Sequence, residues 1–502
     1  PRHPVKRDHH YRKALLVTEK LFRPSRRLQP VSFPDLRYYP WTISTSAEAP
    51  YLESKYWNDY VAQKQREGET DDARMTFHNL YDEIFHENRI HVHAIKFGMK
   101  PFWDENGNPV PYEYNTLHSR SHLVSEDKPD KIRAVFGVPK LLLMVENMFI
   151  WNLQKEYLNE KLAKQPMLWG FETIRGGWYK LIGRLRQQPF NTVLSADWSG
   201  FDHKALHEVI DDVHNIWRSW FDFDKGYEPS VSDTHDYSRS TTEEWKIQNL
   251  WDWMCHAIKH TPIKAESGNM YEWKFNGIAS GFQQTQLLDS FVNCVMLLTS
   301  LSAAGINILG KHFQAVFQGD DSVTAFPEIM DHKPFLARVS SEAKQRFNAD
   351  LSPEKTSIGD LNDVEVLSYR NTNGIAHRDP AELLAHLLYP ERPRTSEATA
   401  ASAVGIAQAA MGCSRQVYDT CRDLFSFLVD QWKVKPEYPA ATHEPYKRPL
   451  KAFELKPMST QEFPSFERTY LQNYDLRRRT ESDKQHLWPT KPTGNGFRFL
   501  LD

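Results

Sequence analysis

Apolar residues recur at intervals of three and four along several stretches of the chain, which predicts helices. Such spacing runs through Tyr51 to Arg66, Ala73 to Ile95 and Leu141 to Ala163. It begins again near His203 and continues with Leu206, Val209, Val213, Ile216 and Trp220, and it returns in Trp245 to His260 and Pro334 to Phe347. Three further helices are expected between Ala381 and Trp432. Strand patterns are shorter. Val193 and Leu194 read as a buried strand, Lys131 to Arg133 as part of an extended segment, and Asp363 to Asp379 as a strand pair. His312 to Gln318 and Ser322 to Phe326, joined by the corner Gly319-Asp320-Asp321, read as a tight antiparallel hairpin. Glu266 to Phe275 is also hairpin-like. Pro30 to Pro50 reads as extended connector, Glu105 to Asn108 as a turn, and Asp222 to Glu244 as a polar loop or insertion. Pro166 to Leu185 is rich in turn residues, with Gly176-Gly177 at its centre.

At 502 residues, with 40% hydrophobic and 25% charged residues, the chain is long enough for two or three subdomains around a large core. A net charge of −3 excludes a uniformly basic coat, so any nucleic-acid contact must use a local channel. Residues 1 to 40 hold ten Lys or Arg against three acids, which reads as a basic arm, either solvated or on nucleic acid. Four scattered cysteines, Cys255, Cys294, Cys413 and Cys421, point to a reducing compartment and to neither a disulfide framework nor a zinc site. His86, His91 and His93 lack nearby cysteines and read as surface or core residues. The apolar run from Leu287 is interrupted by Asp289 and Asn293, so a buried helix is expected and no membrane span. No signal peptide, repeat or low-complexity tract is visible. The first residue is Pro and not Met, as in a processed or incomplete chain.

The chemistry concentrates in a few places. Two adjacent carboxylates at a hairpin corner, Asp320 and Asp321, repel each other unless a cation intervenes, and hard oxygen ligands suit Mg²⁺. The bland alternative is a solvated Asp-rich turn. Asp197 ends the Val193-Leu194 strand before a helix, where a side chain faces a crevice. Asp202, five residues on, either caps that helix or joins the site, or does both. Lys131 and Arg133 share one face of an extended segment, aimed at a triphosphate or at solvent. Gly277, Ser280 and Gly281 make a loop that a ligand can approach closely. Thr285, Asp289 and Asn293, spaced by four, form a polar stripe on the apolar helix that follows, to be satisfied by the protein or by substrate hydroxyls. Lys355 lies on a loop, and the tail after Lys433 is Pro-rich, with Arg477 to Arg479 in a row.

The ordered set KIR, DWSGFD, GIASGFQQTQLLDSFVN, QGDDS, PEKTS and VEVLSYR resembles the motif series of viral RNA-dependent RNA polymerases, most closely those of the partitiviruses, across roughly Thr116 to Met411. Ala279 stands where many relatives have Pro, and Ala134 where Pro is common. The resemblance implies an α+β, right-hand polymerase fold of fingers, palm and thumb, with an antiparallel palm sheet backed by helices. It divides the chain into a basic arm and fingertip elements (1–115), fingers with the triphosphate segment (116–190), a palm with a fingers insertion at about 222–275 (191–375), and a thumb with tail (376–502).

It further implies RNA-templated RNA synthesis with two Mg²⁺ ions, Mn²⁺ being a substitute. Asp197, Asp320 and Asp321 would be the metal-binding catalytic acids and Lys355 the proton donor to pyrophosphate. Lys131 and Arg133 would hold the triphosphate. Asp202, Ser280, Gly281, Thr285 and Asn293 would sit at the nucleotide, the polar ones reading the ribose 2′-hydroxyl. Tyr369 and Arg370 would support the nascent 3′ end. Implied partners are RNA template and product, ribonucleoside triphosphates and a viral capsid protein, inside a virion in host cytoplasm. Reverse transcriptase and non-catalytic RNA-binding virion protein are the rival readings.

Overall fold

The computed structural model describes residues 1–39, 41–124, 126–127, 131–228, 243–390, 394–437 and 461–475. Most of the expected loop from Asp222 to Glu244 and most of the tail after Lys433, Arg477 to Arg479 included, lie outside the described residues.

Helix α1, His9–Phe22, starts where the Asp8 side chain accepts the Tyr11 amide N–H, a polar cap on an orphan donor. Tyr11, Ala14, Thr18 and Phe22 form its buried face, which packs on the long apolar helix described below. The cations around it find acids far away in sequence. Arg2 pairs with Glu208, Arg7 with Asp212, Arg26 with Glu156 and Glu228, and Arg27 with Asp222. The N-terminal segment therefore packs on the core through the apolar face of α1, while several of its cations pair with acids at the surface. The described part of Pro30 to Pro50 is no extended connector: Phe33–Tyr38 is a 3₁₀ helix, and Val31, Phe33, Leu36, Trp41 and Ile43 are buried.

Helix α2, Lys55–Arg66, is capped by Ser54, and α3 is Tyr81–Lys96. The expected start of α3 at Ala73 is too early, because residues 75–78 hydrogen-bond instead to residues 43–47. Strands β1, Asn115–His122, and β2, Lys131–Gly137, pair antiparallel. Helix α4, Lys140–Asn159, follows β2 after two residues and is buried over most of its surface. Helix α5 is Gly177–Leu185, β3 is Thr192–Ser195, and β4 is Trp198–Ser199.

The single helix expected after His203 is two: α6, Phe201–Lys204, and α7, His207–Ser219. The break admits a second segment, since Gly277 and Ile278 donate their amides to the carbonyls of Ala205 and Asp202, and His207 donates to Phe275. Asp202 caps neither piece; it lies inside the first turn of α6.

Helix α8 is Glu244–His260, β5 is Ile263–Lys264, and β6 is Met270–Tyr271. Helix α9, Thr285–Ala303, is long and apolar enough to cross a membrane, but 89% of its apolar window is buried inside the protein. Strands β7, Gln314–Gln318, and β8, Asp321–Phe326, form the expected hairpin. Helix α10 is His332–Phe347, and the strands β9, Asp350–Leu351, and β10, Ser357–Gly359, follow. The next hairpin pairs β11, Arg370–Thr372, with β12, Ile375–His377. Helices α11, Pro380–Leu388, α12, Ser396–Ala409, and α13, Arg415–Ser426, pack around their own apolar cluster. A last short helix, α14, is Phe466–Leu471.

Two four-stranded sheets organise this mixture. The central one has the order β10-β3-β8-β7 and is antiparallel throughout. Its strands alternate between two covered faces: Val193, Val316, Val323 and Ala325 face Trp178, Leu181 and Met411, whereas Leu194, Ala315, Phe317 and Phe326 join the main core that includes α9. The other sheet has the order β2-β1-β5-β6, with β1 and β5 parallel.

Candidate active site

Asp320 sits at the tip of the β7–β8 hairpin. Gln318 and Asp321 are paired across the ladder, so Gly319 and Asp320 are the two turn residues. Gly319 has φ +59°, which glycine adopts without a Cβ penalty and which suits a two-residue hairpin turn. Helix α9 grips that turn. Ser290 Oγ accepts the Gly319 amide at 2.8 Å, and Asn293 Nδ2 donates to the Gly319 and Asp321 carbonyls at 3.0 and 3.3 Å.

Asp197 arrives from the neighbouring strand. Leu194 is paired with Thr324; counting three residues on in one strand and three back in the other brings Asp197 level with Asp321. Its amide donates to Thr356 Oγ1 at 3.1 Å and its carbonyl accepts the Ser352 amide at 2.9 Å, so the loop bearing Lys355 is fastened beside it. Residues 123 positions apart in sequence (320 − 197) thus meet at one end of one sheet.

The electrostatics are those of acids held close together. Asp321 is pushed up to about 7 by burial and then by Asp320, Asp197 and Glu365. Asp320 is raised by burial, Asp202 and Asp197. Asp197 is raised by burial and Glu365, while Lys355 and Lys131 pull it back. Asp202 is raised by burial and hydrogen-bonds to Asp289, whose own value burial and the Asp202 charge drive well above the carboxylate range. Asp289 is the member of that pair that keeps its proton.

Lys131 and Arg133 stand on β2 with exposed side chains, and their fields reach Asp197 in the one case and Asp202 and Asp320 in the other. The extended segment is therefore turned toward the acids. The loop before α9 is stitched to this strand. Ser280 Oγ donates to the Ala134 carbonyl at 3.4 Å. A Cβ on Gly281 would lie 2.2 Å from the Phe136 carbonyl oxygen, so only glycine allows the approach. Thr285 Oγ1 donates to the Ala279 carbonyl at 2.9 Å.

Two of the expected residues are engaged inside the protein. Asn293 is fully buried; its Oδ1 accepts from Trp198 Nε1 at 2.8 Å while its Nδ2 holds the Gly319–Asp321 turn. Its amide makes these bonds inside the protein. Tyr369 is buried, with its hydroxyl on the Ala409 carbonyl at 2.8 Å. It pins the β11–β12 hairpin to α12, whereas Arg370 is exposed beside it and pairs with Glu365 at 3.2 Å.

Asp289, in the middle of the polar stripe, was given no role of its own by the sequence, and Glu365 and Arg120 went unnoticed. Arg120 is paired with Arg133 across the β1–β2 ladder, so both side chains share a face. The alternation of Arg120 with His118 and His122 was the available signal.

Among the described residues no three His, Cys, Asp or Glu side chains are drawn together tightly enough to form a finished metal cage. The donor chemistry nevertheless fits a hard cation: Asp197, Asp320 and Asp321 offer only oxygen, Asp197 raises the proton affinity of the other two and Asp320 that of Asp321, a repulsion that a divalent ion relieves.

The chain also resembles known proteins. The sequence pattern of the family described as viral RNA-dependent RNA polymerase matches residues 35–420. The RNA-directed RNA polymerase of White clover cryptic virus 1 is 30% identical, with 84% of this chain and 74% of the relative aligned. That of Atkinsonella hypoxylon virus is 26% identical, with 79% of this chain and 64% of the relative aligned. A family match over most of the chain, with the acids of the hairpin corner and the neighbouring strand inside it, means that the chain belongs to the viral RNA-dependent RNA polymerases, the enzymes of RNA-templated RNA synthesis.

Proposed function

We propose that the acid cluster is the nucleotidyl-transfer centre of this polymerase. Asp197, Asp320 and Asp321 hold two divalent ions, Mg²⁺ with Mn²⁺ as a substitute. Bound there, the ions supply a lowered pKa at the RNA 3′-hydroxyl and charge neutralisation for the departing pyrophosphate. Lys131 and Arg133 bind the triphosphate, Arg133 as a planar fork and Lys131 as a point charge. Ser280, Gly281 and Thr285 shape the wall along the nucleotide. Asp202, hydrogen-bonded to protonated Asp289, faces the ribose 2′-hydroxyl, the group that marks an RNA precursor. Lys355 gives its proton to pyrophosphate, and Arg370 on the β11 edge supports the nascent 3′ end.

On this reading the central antiparallel sheet is the palm (191–375, with a fingers insertion at about 222–275). The chain before it forms the fingertip elements (1–115) and fingers (116–190), and residues 376–502 form the thumb and tail of a right-hand fold. RNA and ribonucleoside triphosphates are its ligands. A capsid protein is its partner inside a virion in host cytoplasm, which co-sedimentation with purified capsids checks.

The observation that carries this reading is the pairing of β3 with β8, which levels Asp197 with Asp321 beside the Asp320 turn. Its test is Mg²⁺-dependent, template-directed synthesis by Asp320→Asn and Asp197→Asn. Each is expected to lose at least about 100-fold while still binding RNA, and the parent to prefer ribonucleotides to deoxynucleotides. Synthesis by Asp320→Asn at the parent's rate would sink the assignment.

A further inference from the structure

Glu146 lies in the middle of α4, fully buried, and among the described residues no cation acts on it. A buried carboxyl without a countercharge is pushed toward its neutral form and still needs hydrogen-bond partners for its oxygens. It has three. Its Oε2 accepts the Gln283 amide at 3.2 Å, and its Oε1 accepts the Gln284 amide at 3.2 Å and Gln284 Nε2 at 3.1 Å. The two backbone donors stand at the head of α9, where a helix leaves N–H groups without partners that a carboxyl oxygen can accept. Glu146 thus caps α9 from another helix.

The same two glutamines are held from three other sides. Gln284 Oε1 meets His214 Nε2 of α7 at 2.7 Å, the Gln283 carbonyl accepts Gln154 Nε2 of α4 at 3.1 Å, and Gln283 Oε1 accepts the Tyr39 hydroxyl at 3.2 Å. What this joint connects gives it a role. On one side α4 follows β2, the strand of Lys131 and Arg133, after two residues. On the other, Gln283 and Gln284 end the loop of Ser280 and Gly281 and lead into Thr285 and Asp289 of α9. That loop meets β2 through the close Gly281–Phe136 approach and the long Ser280–Ala134 bond.

We propose that Glu146 is a positioning residue for the incoming nucleotide: it fixes the 279–285 loop against the β2–α4 unit, so that the phosphate-facing and ribose-facing halves of the site keep one spacing. This rests on reading the acid cluster as the nucleotidyl-transfer centre. Glu146 touches no reacting atom and acts through Gln283 and Gln284.

The test compares Glu146→Ala and Glu146→Gln with the parent in the full chain. Three readouts are taken: amide exchange of peptides spanning 279–289, affinity for a fluorescent GTP analogue with Mg²⁺, and steady-state synthesis on an RNA template. For Glu146→Ala we expect about tenfold faster exchange in that segment with α1 unchanged, and about tenfold weaker nucleotide binding and higher KM, with kcat within about threefold. Glu146→Gln, whose amide oxygen still accepts an N–H, is expected to recover most of the loss. Unchanged exchange, or unchanged binding and KM in a folded Ala variant, overturns the proposal. If Glu146→Ala does not fold, Gln284→Met, which removes the side-chain link to both Glu146 and His214, takes its place: faster exchange with weaker binding supports the proposal, and no change in either overturns it. An inactive parent sinks the polymerase reading instead, and the exchange and binding measurements then decide the role of Glu146 alone.

Discussion

The indole N–H of Trp198 donates to Asn293 Oδ1 at 2.8 Å, and the other end of that amide holds the carbonyls of Gly319 and Asp321. One buried side chain on α9 therefore ties the residue after Asp197 to the turn that carries Asp320. The distance between the two acid-bearing segments is set by a helix that belongs to neither. Asn293→Leu leaves one buried donor and two carbonyls short of a partner, at a cost of about 1–3 kcal/mol. Asn293→Asp keeps the acceptor for Trp198 but sets an anion against two carbonyl oxygens, and is expected to be worse. Urea denaturation measures the cost, and synthesis assayed where both variants are folded should fall further than stability explains. Full activity in folded Asn293→Leu would refute the clamp.

Gly281 and Gly183 make a paired prediction. A Cβ on Gly281 meets the Phe136 carbonyl oxygen at 2.2 Å, whereas one on Gly183 meets nothing within 4 Å. Gly281→Ala must push the loop off β2, at about 1–3 kcal/mol and with loss of synthesis. Gly183→Ala lies inside α5 and should stabilise by roughly 0.5–1 kcal/mol. Thermal melts of the two variants should move in opposite directions; a shared direction counts against the close approach.

Burial lifts Glu146 to about 8 in the folded chain, against roughly 4.3 when unfolded. The unfolded chain gives up this proton near pH 4.3 and the folded chain keeps it until about pH 8. Over that window the folded state binds the extra proton, so stability from this group falls as pH rises and levels off above pH 8. Glu146→Gln lacks the slope. The difference in unfolding free energy between parent and variant should therefore shift toward the Gln variant from pH 5 to pH 8, by on the order of a few kcal/mol. Parallel stability curves across that range would contradict it.

The N-terminal cations are predicted to matter for folding and not for RNA affinity. Phe22 packs against Phe291 with ring centroids 4.1 Å apart and meets Tyr157 edge-on at 5.8 Å, so Phe22→Ala should cost about 3–5 kcal/mol. Arg2, Arg7, Arg26 and Arg27 already have acidic partners. Replacing them by Gln should leave the salt dependence of RNA binding unchanged, whereas phosphate contacts would change its log–log slope by nearly one per residue. Filter binding between 50 and 200 mM salt, about the range over which such slopes are read, distinguishes the two.

Much of the site was legible because its chemistry is local. A Gly-Asp-Asp corner between two apolar runs specifies a hairpin through the φ +59° that Gly319 supplies. Alternation alone places Lys131 and Arg133 on one face. The buried nature of α9 followed from polar residues that no lipid would satisfy. What was misread depended on partners far away in sequence. Nothing near Arg2, Arg7, Arg26 or Arg27 in sequence announces that Glu208, Asp212, Glu156 and Asp222 are brought to them. The helical spacing after His203 gives no sign that residues 275–278 insert into it.

The sequence by itself determined the hairpin corner, the polar stripe of α9 and the broad run of most helices and strands, since residue type and short-range periodicity act within a few positions of the chain. Only the tertiary structure decided their division of labour. Asn293 and Asp289 sit on the same stripe, yet one became a clamp and the other a protonated partner of Asp202. The physical reason is that a hydrogen bond or a carboxylate pair is worth its full strength only when both members are buried against each other, and burial is a property of the packed whole.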